Sequence, residues 1–144
     1  GHPVISLLVG KSMSGAFLAH GYQANRIIAL KDTGVMVHAM GKESAARVTL
    51  RTVDELEKLA ASIPPMAYDI ESYATLGLLS DLLTVVNPEQ PTIEDIASVQ
   101  NAFLHALNDI QATASTGLEH RLDGENRQAS KKVRELLREQ WYAD

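Results

Sequence analysis

Residues 3–21 read PVISLLVGKSMSGAFLAHG, an apolar run that breaks into small residues and resumes as a helix-like segment. Val4, Ile5, Leu7, Leu8 and Val9 form the short, branched, nearly continuous apolar stretch expected of a strand covered on both faces. Ser12, Ser14, Gly15 and Ala16 follow, and their small side chains let the backbone turn sharply into the next helix. At such a turn the first N–H groups of the helix point outward unpaired, and the helix dipole favours negative charge there. Amides aimed in this way stabilise the oxygen of an enolate or a tetrahedral oxyanion, so the stretch predicts a βα unit with an anion-binding turn suited to acyl chemistry. The same order of strand, turn and helix also serves plain βα packing. Gly10, Lys11 and Ser12 imitate the end of a phosphate-binding P-loop, but the glycine that motif needs five residues before Gly10 is Ile5, which argues against nucleotide binding.

Working outward, residues 24–30 (ANRIIAL) predict a second strand and residues 34–40 (GVMVHAM) a third, with Lys31, Asp32 and Thr33 as the turn between them. From Gly41 onward helix formers take over, and Thr52 with Glu55 forms a capping-box pattern before Leu56, Leu59 and Ala60. Pro64 and Pro65 end that helix, and residues 66–83 predict one or two short helices around Gly77. Pro91 and Thr92, followed by Asp95, open a long amphipathic segment with apolar residues at Ile93, Ile96, Ala97, Phe103, Leu104, Leu107 and Ile110. Gly117 and Gly124 punctuate the next region, and a last helix sets Val133, Leu136, Leu137 and Trp141 along one side. No internal repeat is evident.

The fold expected is α/β: one domain over residues 1–144, with a βαββ core in 1–41 and a mainly helical packing and partner-binding region in 42–144. About three strands are too few for a comfortable sheet, and the helices carry more apolar stripe than those strands would cover. Either another chain supplies strands to an exposed edge, or a second copy of this chain buries the stripes.

With 45% hydrophobic and 22% charged residues, the 144-residue chain suits a globular domain with a real core rather than disorder. A net charge of -5 gives no general attraction to nucleic acid or to an anionic membrane. No segment approaches the roughly 20 apolar residues needed to span a bilayer. Cys is absent, which excludes disulfides, cysteine nucleophiles and thiolate metal sites. Gly1 and His2 open no basic, apolar signal segment, so a cytoplasmic location is expected. The missing initiator Met and the immediate entry into a strand lead us to expect a fragment preceded by further residues in the natural polypeptide. His2, His20, His38, His105 and His120 lack metal-ligand spacing, and no metal is expected.

Gly15 and Ala16 are the candidate backbone oxyanion donors, since neither side chain obstructs a carbonyl oxygen approaching the main chain. His20, in the following helix, fits a proton donor or an ordinary hydrogen-bonded histidine. His38 shares a strand face with Met36 and Met40 and reads as a satisfied interior histidine. Ser14 and Tyr22 each suit proton donation near the turn, or capping and packing. Arg121, Arg127, Lys131, Lys132, Arg134 and Arg138 are balanced by Glu119, Asp123, Glu125, Glu135, Glu139 and Asp144, which favours a solvated face over a docking site for a phosphate-bearing ligand or an acidic carrier protein.

Residues 10–21 (GKSMSGAFLAHG), 22–30 (YQANRIIAL), 34–41 (GVMVHAMG) and 63–83 (IPPMAYDIESYATLGLLSDLL), in that order, resemble the gamma subunit of biotin-independent malonate decarboxylase. The resemblance covers most of the chain and weakens after about Gly117. It implies a crotonase-like fold related to the carboxyltransferases, in which ββα units stack into a spiral and backbone amides form oxyanion holes for thioester enolates. It also implies two partners in a hetero-oligomer, the beta subunit and an acyl carrier protein whose prosthetic thiol carries the substrate, with no cofactor bound directly. The activity implied is decarboxylation of malonyl-S-acyl carrier protein to acetyl-S-acyl carrier protein and carbon dioxide, the isolated chain being inactive. Gamma subunits of the family are longer on the N-terminal side, in line with a fragment.

In that setting the Gly15 and Ala16 amides would serve catalysis. Ser14, Phe17, Val35 and Met36 would contact the substrate, the apolar ones disfavouring the ionic carboxylate, and His20, Tyr22 or water would protonate the enolate. In the biotin-dependent carboxyltransferases, amides matching Gly15 and Ala16 face the biotin ureido oxygen while the partner's amides hold the thioester oxygen. Whether Gly15 and Ala16 hold the enolate, the malonyl carboxylate or neither therefore stays open. Two rival readings fit the same residues: a non-catalytic docking subunit of an acyl-transfer complex, and a crotonase-like acyl-CoA hydratase or carboxyltransferase.

Overall fold

The computed structural model describes residues 2–113 and 117–142. The chain runs the same course twice. Strand β1 (Ile5–Leu8) is followed by β2 (Lys11–Met13) and by a helix that starts as an α turn, α1 (Ser14–Ala16), and continues as a π turn, Phe17–Gly21. Strand β3 (Arg26–Leu30) is followed in the same way by β4 (Met36–His38) and helix α2 (Lys42–Thr49). The first strands of the two courses pair in parallel, Ile5 with Arg26 through Leu8 with Ala29. The second strands pair in parallel in a separate sheet, Lys11 with Met36 through Met13 with His38. A further strand, β5 (Asp81–Leu83), adds to the other edge of β3, so the larger sheet has the order β1-β3-β5.

The centre of the molecule is β3, whose five residues are all buried. Ile27 and Ala29 face a core of Leu8, Phe17, Val35, Val37, Ile70 and Tyr73. Ile28 faces the other way, onto Ala102 and Ala106 of helix α5 (Ile93–Thr113). Burying each isoleucine side chain contributes about 1.5–3 kcal/mol, and the alanines let the helix approach the sheet closely. Arg26, at the start of β3, is buried and held by the Asp109 carboxylate of α5, its Nε 2.7 Å from Oδ2.

The strand covered on both faces is thus β3. The expectation for residues 4–9 is corrected: β1 lies at a sheet edge, with Val4 and Val9 exposed. Strands β2 and β5 were not anticipated, because each spans 3 residues and is too short to show an alternating pattern.

The helix starts follow local chemistry. Helix α3 (Val53–Ser62) opens with the reciprocal Thr52–Glu55 capping box. A 3₁₀ turn over Pro64–Met66 ends that region, and α4 (Ile70–Ala74) begins where the Asp69 carboxylate accepts the Ser72 N–H at 2.8 Å. At the head of α5, Thr92 N–H donates to Asp95 at 2.9 Å while Asp95 N–H donates to the Thr92 hydroxyl at 3.1 Å. Along α5 the buried face is Ala102, Ala106 and Ile110, whereas Ile93, Ile96 and Leu104 face outward, so the expected stripe is only partly turned to the core. Helix α6 (Gln128–Trp141) exposes Val133, Leu136, Leu137 and Trp141, the unpartnered stripe expected from the sequence. Among the described residues no helix is long and apolar enough to cross a membrane.

Candidate functional site

Two parallel strands side by side, β2 and β4, end level with each other at Met13 and His38. Ligands of parallel sheets gather outside the carboxyl ends of the strands. Here the chain leaves β2 through Ser14, whose φ of 63° is in the left-handed region that side chains disfavour. That break turns an extended Met13 directly into helix, and no side chain caps the helix start. Ser14, Gly15 and Ala16 are all exposed. The first amides of a helix have no carbonyl within it to reach, so the Gly15 and Ala16 N–H groups face solvent or a ligand. A Cβ built on Gly15 meets no atom within 4 Å. Nothing inside this chain requires glycine there.

The rest of that helix explains its shape. Phe17 is a core residue, packed edge-on against Tyr22 and Tyr73 at ring distances of 6.0 and 6.5 Å. The Tyr22 N–H reaches back to the Phe17 carbonyl at 2.6 Å, closing a π turn. Gly21 is obligatory in it, because a Cβ at that position would sit 2.7 Å from the Phe17 ring. His20 is exposed on this turn. Val35 is in the core, and Met36 is half-buried.

Beside the turn, His38 stacks on Tyr68, with ring centroids 4.0 Å apart and planes within 10°. The Met40 N–H donates to His38 Nδ1 at 3.4 Å, so the neutral ring carries its proton on Nε2. Burial lowers the His38 pKa and raises that of Tyr68, so both are neutral at pH 7. The Tyr68 hydroxyl is buried with no partner among the described residues, and Lys42 Nζ lies 5.6 Å over its ring while pairing with Glu57 at 2.8 Å. A cleft of about 370 Å³ opens here, with Met36, Lys42, Tyr68 and Asp69 among its walls.

No motif in the sequence marks Tyr68 or Lys42. They reach the site because residues 68 and 69 run along β4, with the Val37 N–H on the Tyr68 carbonyl at 3.0 Å and Met36 bridged to Asp69. No local pattern encodes that pairing. The structure brings Ser14, Gly15, Ala16 and His38 to the ends of one strand pair and Met36 to the neighbouring cleft, while Phe17 and Val35 support them from the core.

The far end of the same short helix forms a second cluster. Arg121, from a 3₁₀ turn (Glu119–Arg121), is buried and donates to the Tyr22 carbonyl at 2.5 Å and to that of Ala24. Arg127, from the turn Glu125–Arg127, donates to the Tyr22 hydroxyl at 3.0 Å. These two and Arg134 of α6 line a cleft of about 250 Å³ with Tyr22 and Glu119. Of the basic cluster's expected counter-charges, Asp123 pairs with Lys131 at 2.5 Å, while the Glu125 side chain and Asp144 lie outside the described residues. Among the described residues no three His, Asp or Glu side chains converge as a metal cluster.

The chain matches, over residues 1–141, the family model described as malonate decarboxylase gamma subunit. It is similar to a chain of a Pseudomonas malonate decarboxylase hetero-tetramer in complex with coenzyme A: 62% identity, a TM-score of 0.90, and coverage of 98% of this chain and 53% of that one. For a Pseudomonas malonate decarboxylase MdcD-MdcE hetero-dimer the identity is 57% and the TM-score 0.82, covering 98% of this chain and 51% of that one. The malonyl-S-ACP:biotin-protein carboxyltransferase MADD of Malonomonas rubra is 29% identical over 123 residues, which are 85% of this chain and 39% of that protein. The chain therefore spans about half, or less, of the length of these relatives.

Proposed function

The chain belongs to the malonate decarboxylase gamma-subunit family, and from that premise we propose that it forms, with a beta subunit, the decarboxylase acting on malonyl thioesters of an acyl carrier protein. The relatives' hetero-dimer and hetero-tetramer support the partner, and the carrier substrate in the Malonomonas relative's name supports the thioester. We read the fold as a crotonase-like spiral segment, all within one domain over residues 1–144. The repeated course of strand, strand and helix, with first strands pairing in one sheet and second strands in another, supports that reading.

The observation that carries the mechanism is the exposed, uncapped helix start at Ser14, Gly15 and Ala16, outside the ends of β2 and β4. A malonyl thioester loses its carboxylate as carbon dioxide when the C–C bond electrons pass onto the thioester carbonyl. The resulting enolate oxygen, or the departing carboxylate, takes hydrogen bonds from the Gly15 and Ala16 amides. Two preorganised amide donors aimed at developing charge are each worth about 3 kcal/mol of barrier in comparable sites. Ser14 contacts the acyl group and Met36 forms its apolar wall; Phe17 and Val35, expected to contact the substrate as well, are buried in the core instead. A proton then reaches the enolate carbon from His20 or water, leaving acetyl thioester. The Tyr22 hydroxyl, engaged by Arg127, is the weaker candidate for that proton.

The test is release of carbon dioxide from malonyl carrier protein by the chain alone and after mixing with the beta subunit, with complex formation followed by size-exclusion chromatography. Turnover only in the complex, lost in Gly15→Val at unchanged complex size, supports the reading. Turnover unaffected by Gly15→Val rejects the role of the amides, and failure to associate rejects the partner. A carboxyltransferase reading draws on the name of the Malonomonas relative, and would appear as carboxyl transfer to a biotinylated acceptor.

A further inference from the structure

We propose that the cleft between Tyr22 and the arginines Arg121, Arg127 and Arg134 binds a phosphate group. Three guanidiniums line this one cleft, against one carboxylate, Glu119, among the described residues. Among the described residues the ion pairs lie elsewhere, at Arg26–Asp109, Lys31–Glu71, Lys42–Glu57 and Lys131–Asp123. Arg121 is 4% exposed, and both of its terminal nitrogens are spent on backbone carbonyls. Among the described residues its Nε has no partner, and neither has the buried Nε of Arg127.

A buried guanidinium without a counter-charge is costly, and unpaired donors add to that cost. Burial lowers the Arg121 pKa; of its neighbours, Tyr73 and Tyr22 act to raise it and Arg26 and Arg127 to lower it further. An anion in the cleft would remove the conflict. Three cations less one carboxylate leave a surplus of two positive charges, which matches the charge of about −1.5 to −2 on a phosphomonoester. Planar guanidinium forks also suit the several oxygens of phosphate, and one carboxylate would leave most of these donors idle. The Tyr22 hydroxyl accepts from Arg127 and so keeps its own proton to donate. Helix α6, of 14 residues, starts beside the cleft with no side-chain cap and no acidic residue in its first turn, so its amides and dipole favour the same anion.

The site shares only Tyr22 with the proposed reaction, and the choice of phosphate source rests on that reading. Coenzyme A carries such a phosphomonoester on its ribose, whereas the phosphopantetheine arm of a carrier protein carries a phosphodiester with one negative charge, which would leave part of the surplus unmatched. Calorimetric titration of the chain with inorganic phosphate, coenzyme A, unphosphorylated pantetheine, and holo or apo carrier protein tests it without any turnover assay. Phosphate and coenzyme A are expected to bind, and pantetheine is not. Arg134→Gln, on an exposed helix position, and Arg127→Gln each weaken phosphate binding about tenfold, the loss of one charge-assisted hydrogen bond. Holo carrier binding better than apo assigns the arm as the source, and coenzyme A binding alone assigns the free nucleotide. Pantetheine binding as well as coenzyme A, or unchanged phosphate affinity in Arg134→Gln with its circular dichroism retained, overturns the proposal.

Discussion

Met13 and His38 are partners across the β2–β4 pair, and the chain leaves the sheet immediately after Met13 through the left-handed Ser14. The amides that follow are positioned by a strand pair on one side and by a core aromatic, Phe17, on the other. This placement separates effects on fold from effects on chemistry.

Gly15→Ala and Gly15→Val are expected to fold as the parent does, because a Cβ there meets no atom within 4 Å. The alanine should even raise stability, by up to about 1 kcal/mol from helix propensity. Turnover by the complex with the beta subunit is expected to drop at least about a hundredfold in the valine variant, as for loss of an oxyanion donor. Thermal melts and initial rates on the same samples distinguish a blocked site from a damaged one.

Leu50→Gly should stabilise the protein by about 1 kcal/mol, since leucine there holds a left-handed backbone that glycine adopts freely. Leu50 has φ 55°, is 95% exposed, and closes helix α2 through Arg51 N–H on the Ala46 carbonyl and its own N–H on that of Arg47. It occupies the Schellman position usually taken by glycine. A urea unfolding midpoint that does not rise would refute this account of the cap.

Removing Asp109 leaves Arg26 buried with its main counter-charge gone. The carboxylate is itself half exposed, which tempers the loss. Asp109→Ala is expected to cost about 2 kcal/mol, below the 3–5 kcal/mol of a fully buried pair. Equilibrium denaturation reads this directly, and Arg26→Met in the same background should recover part of the loss by removing the stranded charge.

Acid should destabilise the fold in two stages. At the helix starts, the Thr52 N–H lowers the pKa of Glu55 and the Thr92 N–H that of Asp95. At Asp69 the upward push of burial is outweighed by the Ser72 N–H and hydroxyl. A carboxylate depressed in the folded state stabilises above its unfolded pKa, near 4, and that contribution is lost as pH falls through the folded value. Burial depresses His38 and His120 as well, so their charging destabilises the fold as pH drops below about 6.5. Melting temperature should therefore decline gently from pH 7 to 5 and steeply below 4, with the steep arm reduced in Asp95→Asn. A flat profile from pH 7 to 3 would contradict both assignments.

What the sequence made legible was local. Thr52–Glu55 and Thr92–Asp95 announce their helices because donor and acceptor sit three residues apart, within reach of any chain that starts to coil there. The strands at residues 26–30 and 36–38 were visible through branched apolar runs, and the turn at Ser14–Ala16 through its small side chains. Tyr68 beside His38 and β5 beside β3 depend on pairings between distant segments, which composition and periodicity do not encode. The arginine cleft is the extreme case. Arg121 meets the Tyr22 carbonyl across 99 positions of sequence, so residues that read as a balanced, solvated face include one buried guanidinium and its neighbours.

The π turn between Phe17 and Gly21 holds one residue more than an α turn would. Wound as an ordinary α-helix with the same residues, the segment would carry everything after it about 100° further round the axis. Tyr22 would then swing its ring and carbonyl away from Arg121 and Arg127, while Ser14, Gly15 and Ala16 stayed where β2 puts them. One surplus residue thus sets the phase between the two ends of a single short helix, gearing the amide end to the guanidinium end.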